Sequence, residues 1–144
     1  MDRVKSGLEK SISSRLMLPS ELQVIKQSLI FDYQIRAVLR RQHHNPPIWI
    51  ENHWHDFQVT LHLRAQRNPS DMYGLDMVEM EQRLQEWGER LPIIVNDCPL
   101  CPGGTTEELC CYFASIPLKS HVTLIGVSVA ENSERLTYLP ILQL

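Results

Sequence analysis

The sequence predicts an α+β protein, an antiparallel sheet in the order ββααββ with two helices on one face. Three observations carry this. A long stretch at residues 50–65 alternates apolar and polar side chains. Two central segments repeat apolar residues at helical spacing. Two further alternating stretches follow, joined by a turn-rich tetrapeptide.

The chain has 144 residues, a size that suits one domain. Its hydrophobic fraction of 43% and charged fraction of 22% are those of a globular protein. The net charge of −3, with both signs scattered, presents no basic field for nucleic acid or an anionic membrane. No apolar run reaches membrane-spanning length, and the first residues lack the apolar stretch of a secretory signal. Cys98, Cys101, Cys110 and Cys111 are bunched rather than spaced as a disulfide framework, so a reducing cytoplasm is expected.

Val4, Leu8, Ile12 and Leu16 form a thin amphipathic stripe that Pro19 is expected to end. Residues 28–39 read as the first strand, with Phe31, Tyr33, Ile35, Ala37 and Leu39 on one face. Residues 40–47, R-R-Q-H-H-N-P-P, then read as a polar loop, which makes His43 and His44 loop histidines. In it Arg40 and Arg41 are expected to be solvated. In the second strand His53, His55, Phe57, Val59, Leu61, Leu63 and Ala65 share a face. Residues two apart on one face have Cβ atoms about 6–7 Å apart, so His53 and His55 can converge on one metal ion. The alternative is two ordinary histidines at an open sheet end.

Met77, Met80, Leu84 and Trp87 give the first helix its core stripe over residues 75–90, with Gly88 and Pro92 bracketing its end. A second helix starts at Thr105, whose spacing to Glu108 is that of a capping box, and stops at Pro117. Residues 120–131 and 136–143 are the last strands, joined by the turn Asn132-Ser133-Glu134-Arg135; Pro140 marks an edge strand.

Several pieces together resemble the 6-pyruvoyltetrahydropterin synthase and 6-carboxytetrahydropterin synthase family. Phe31-Asp32-Tyr33-Gln34-Ile35-Arg36 stands against its F-x-A-x-H-R, and His53-Trp54-His55-Asp56-Phe57 against H-G-H-N-Y/F. Gly74-Leu75-Asp76-Met77 precedes the helix, Val95-Asn96-Asp97 matches L-N-D, Gly104-Thr105-Thr106-Glu107 matches P-T-x-E, and Glu131 opens the hairpin where the family has E-T. The resemblance implies the tunnelling fold, whose subunits close edge to edge into a barrel as trimers or hexamers. It divides the chain into an N-terminal helical arm, 1–27, and a 6-pyruvoyltetrahydropterin synthase-like domain, 28–144.

The resemblance also implies a pterin at a subunit interface, beside a zinc held by three histidines. Carried over residue by residue, His53 and His55 match two metal ligands, while the third falls on Ile35, which cannot coordinate. No cysteine stands at residues 47–49, where the family has its base, and Arg90-Leu91-Pro92 replaces its Asp-His pair. Weak or substoichiometric zinc is therefore expected unless His43 or His44 supplies the third ligand. Glu131, Thr105, Thr106 and Glu107 are the expected ligand-binding residues, Glu131 facing the donors of the pterin's pyrimidinone edge. The expected function is binding of a pterin-like small molecule by a site that has lost its catalytic residues. The alternatives are an active zinc-dependent carbon–oxygen lyase of pterin or deazapurine biosynthesis with a rearranged site, and a structural barrel that binds nothing. Cys98 and Cys101 form a C-x-x-C that needs a second ligand pair to be a zinc knuckle, and are otherwise read as inert thiols.

Overall fold

A computed structural model describes residues 16–67 and 73–141. Its elements are helix α1 (Pro19–Gln27), strands β1 (Ile30–Asn45) and β2 (Trp49–Gln66), helix α2 (Met77–Glu89), a 3-10 turn at Val95–Asp97, helix α3 (Thr106–Ala114), and strands β3 (Val122–Ala130) and β4 (Leu136–Pro140). The four strands form one antiparallel sheet in the order β1-β2-β3-β4, so the expected ββααββ architecture is the observed one. Helix α2 packs over β1, and α3 over β3 and β4.

The alternation in β2 decides the layering. Phe57, Val59, Leu61, Leu63 and Ala65 are buried beneath the helices, while Trp54, Asp56 and Arg64 face outward. Met80 and Leu84 of α2, and Leu109, Cys110 and Phe113 of α3, close the core from above. Trp87 stacks on Tyr112 and donates Nε1–H to its carbonyl at 3.1 Å, and the Tyr112 hydroxyl returns a bond to the Trp87 carbonyl at 2.6 Å. The two helices are thereby fixed to each other as well as to the sheet.

Several features depart from the sequence reading. Strand β1 does not end at Leu39: it runs on to Asn45, paired with β2 as far as His43↔His53 and, past a bulge, Asn45↔Trp49. His43 and His44 are therefore strand residues, not loop residues. Arg41 is held rather than solvated, reaching the Leu91 and Glu89 carbonyls at 3.3 and 3.4 Å, where a cation also suits the end of α2. Arg40 does face solvent, pairing with Asp56 at 3.2 Å over the Trp54 ring. Strand β3 changes phase at a bulge: Leu63 pairs with Leu124 but His62 with Gly126, so Ile125 is the extra residue. Val122 and Leu124 before the bulge, and Val127 and Val129 after it, thus all turn to the core.

Pro19 opens a helix, in the first-turn position where its missing N–H costs nothing. Its N-cap Leu18, and Leu22 and Ile25 within it, are exposed. The stripe from Val4 to Ile12 lies outside the described residues. No described helix is long and apolar enough to cross a membrane.

Candidate metal centre and adjoining pocket

The extension of β1 builds the site. Odd-numbered residues of β1 face the core, from Ile35 through Leu39 to His43, and His43 lies opposite His53 in the register. His53 and His55 share the same face of β2, so three imidazoles meet at one end of the core. Their ring centroids are 4.4 Å apart for His43–His53 and 4.9 Å for the two pairs with His55. One nitrogen from each lies within 4.8 Å of the other two, the only such cluster of metal-ligating side chains among the described residues. The position expected for the third histidine, Ile35, is fully buried core paired with Leu61. The third imidazole comes instead from His43, eight residues further along the same strand face.

His43 has a defined tautomer. Its Nδ1 lies 2.7 Å from the Gly104 carbonyl, which can only accept, so Nδ1 carries the proton and Nε2 the lone pair. The ring is fully buried, and Nε2 is the one buried side-chain polar atom among the described residues with no hydrogen-bond partner. Burial pushes its pKa below the ordinary histidine value, and the Gly104 bond and the Glu131 charge only partly oppose this. A neutral imidazole with its lone pair held among two others is prepared for a cation. In His53 the Nδ1 lies 3.2 Å from the Glu51 carbonyl, so the lone pair of that ring is again at Nε2. An all-imidazole set suits zinc and its transition-metal neighbours, and three protein ligands are what a zinc site with an open position uses. The residues present fit the metal.

The loop between α2 and α3 holds this arrangement. Asn96 accepts from the His44 backbone N–H at 3.0 Å and donates to the His44 carbonyl at 2.8 Å and the Pro102 carbonyl at 3.1 Å. Asn45 donates to the Gly103 and Gly104 carbonyls at 3.2 and 3.0 Å. The asparagine matched to L-N-D is thus a staple between the end of β1 and the loop that orients His43. His44 itself points elsewhere, its Nδ1 2.7 Å from Asn52 Oδ1, and is not in the cluster.

Beside the histidines lies a pocket of about 490 Å³ whose lining includes all four expected ligand-binding residues, Thr105, Thr106, Glu107 and Glu131, together with Asn45 and Arg135. Two of them are already engaged. Thr105 caps α3, accepting the Glu108 N–H at 3.2 Å, while Glu108 Oε1 accepts from its backbone N–H at 3.2 Å and its hydroxyl at 3.0 Å. The buried Thr106 hydroxyl is shared with Thr137 at 2.7 Å. Glu107 is exposed, and the Glu131 side chain retains 19% of its accessibility. Glu131 places one oxygen 3.7 Å from His55 Nε2 and the other 3.5 Å from Arg135.

The cysteines stand apart. All four are free thiols; Cys98, Cys101 and Cys110 are buried and Cys111 exposed. Burial, with Cys98 beside it, pushes Cys101 up to about 12, and burial pushes Cys110 up to about 11. Thiols so protonated at neutral pH are poor nucleophiles.

No family model and no curated protein sequence matches the chain. Solved structures do match in fold. The 6-pyruvoyl tetrahydropterin synthase of Caenorhabditis elegans superposes with a TM-score of 0.63 at 12% identity, over 78% of this chain and 96% of that one. The 6-pyruvoyltetrahydropterin synthase of Plasmodium vivax gives 0.56 at 16% identity, over 77% and 97%. The likeness establishes the shared fold.

Proposed function

We propose that this chain binds a pterin-like small molecule beside a metal ion held by His43, His53 and His55. The observation that carries the reading is the buried Nε2 of His43, without a partner and clustered with two further imidazoles, one of which lies 3.7 Å from Glu131 of the adjoining pocket. The fold shared with two 6-pyruvoyltetrahydropterin synthases supports the ligand class. A bound zinc would act as a Lewis acid on ligand oxygens. The chain's own residues orient the ligand: Glu131 accepts two donors of an amino-pyrimidinone edge, and Glu107 and Asn45 border the ring. A second reading, a zinc-dependent carbon–oxygen lyase, is favoured by the complete set of three histidines. Against it, no cysteine stands between Asn45 and His53.

Titrating pterin against the fluorescence of the three tryptophans tests the pocket. Glu131→Ala is expected to weaken binding at least tenfold, about 1.4 kcal/mol, since two charge-assisted bonds are lost. Unchanged affinity in the mutant removes the anchor. Turnover of dihydroneopterin triphosphate by the zinc-loaded protein decides for the lyase.

The reading includes a division into an arm, 1–27, and a ligand-binding domain, 28–144, and assembly of that domain. Strands β1 and β4 are open edges of the sheet, and β2 pairs with β3 only from Gln58 to Ala65. Closure into a trimer or hexamer would cover those edges. Light scattering is expected to give three or six times the 16.7 kDa chain mass, and a stable monomer at micromolar concentration rules out the barrel.

A further inference from the structure

Glu131 ends a run of core-facing residues. Val127 and Val129 of β3 point inward, and Glu131, two residues on, lies on the same face just past the last pair, Gln58↔Ala130. One step beyond that pair it stands beside Phe57, diagonal to His55. Oε2 lies 3.7 Å from His55 Nε2, an ion-pair approach that a small rotation of either side chain closes to a hydrogen bond; Oε1 lies 3.5 Å from Arg135, and the charge also acts on the His43 ring. A carboxylate serving only as a ligand anchor has no need to reach a metal-binding imidazole.

We propose that Glu131 is also a positioning residue of the metal centre: it accepts the Nε2–H of His55 and so presents Nδ1 of that ring to the metal. The inference rests on the three-histidine centre proposed above. Histidine ligands commonly give their second N–H to a carboxylate, which fixes the tautomer and strengthens the donor. One carboxylate then serves both halves of the site: Oε2 turns one lone pair to His55 and keeps another for the ligand, and Oε1 lies at the pocket beside Arg135.

The test compares zinc binding to wild type and Glu131→Gln by competition with a chromophoric chelator, with no pterin present. Nitrogen-15 NMR of the imidazoles reads the His55 tautomer in the zinc-bound protein. Glutamine keeps the size of the side chain and loses its charge. The expected result is a zinc affinity at least tenfold weaker in Glu131→Gln, with the zinc-free melting temperature unchanged, and a wild-type His55 protonated at Nε2. Equal affinity in the two proteins, or a wild-type His55 protonated at Nδ1, overturns the inference and leaves the metal centre standing. A wild type that takes up no zinc overturns the centre and the inference together.

Discussion

His43→Ala is expected to lower zinc affinity at least a hundredfold, a difference of about 2.7 kcal/mol. The variant keeps only His53 and His55, one strand's pair, where a zinc site with an open position uses three protein ligands. His43 also arrives prepared. Its tautomer is set by the Gly104 carbonyl and its ring is held neutral by burial, so at neutral pH the metal displaces no proton from it. Thermal melting gives a second reading of the same loss. Zinc at a hundred times its dissociation constant stabilises the wild type by about 2.7 kcal/mol, and the same concentration should move His43→Ala very little. His44→Ala is the control, because that ring bonds to Asn52 and lies outside the cluster. Its zinc affinity is expected within threefold of wild type. If His44→Ala loses the metal and His43→Ala keeps it, the centre has been assigned to the wrong histidine.

The same residue shows what the sequence made legible. The β2 alternation named its core face correctly from His53 to Ala65, because its apolar residues from Phe57 on are buried in the core while Trp54, Asp56 and Arg64 face outward. In β1 the apolar pattern stops at Leu39, and Arg41 and His43 then occupy core-facing positions with polar groups. A polar run next to Pro46-Pro47 reads as a loop, yet here polarity marks the start of the site. The signal was parity: Ile35, Leu39 and His43 are an even number of residues apart and so share a face. Setting F-x-A-x-H-R against Phe31–Arg36 kept that parity but placed the third histidine at Ile35, eight residues before the one that the strand brings to His53 and His55. The capping box at Thr105 and Glu108 was legible because it is local. The β3 bulge at Ile125 was not, since it is the tertiary demand to bury both Leu124 and Val127 that breaks the alternation. The meeting of Glu131 with His55 depends on the offset between two strands, and no spacing within either strand encodes that.

Gly104→Ala is expected to cost about 3 kcal/mol of stability or more, and the metal site with it. Gly104 has a φ of +64°, a conformation that strains any residue carrying a Cβ. The space is also taken. A Cβ there would stand 2.5 Å from the His44 carbonyl oxygen and 2.6 Å from Asn96 Oδ1. Neither neighbour is free to withdraw, because the Asn96 amide is bonded to both the N–H and the carbonyl of His44. Strain of about 1–3 kcal/mol and overpacking of a similar size therefore act together. The backbone displacement falls on the carbonyl that receives both His43 Nδ1 and Asn45, so the ring that should present its lone pair loses its orientation. Gly103→Ala is the useful comparison: its φ is not positive, and the added Cβ would meet the Glu108 carboxylate at 2.9 Å, the far end of a flexible side chain. At about 2–4 °C per kcal/mol for a chain near this size, Gly104→Ala should melt roughly 10 °C below wild type and Gly103→Ala within a few degrees of it. Zinc affinity should fall at least tenfold in the first and stay near wild type in the second. A Gly104→Ala protein that melts with the wild type and binds zinc as tightly would show that the loop does not hold His43.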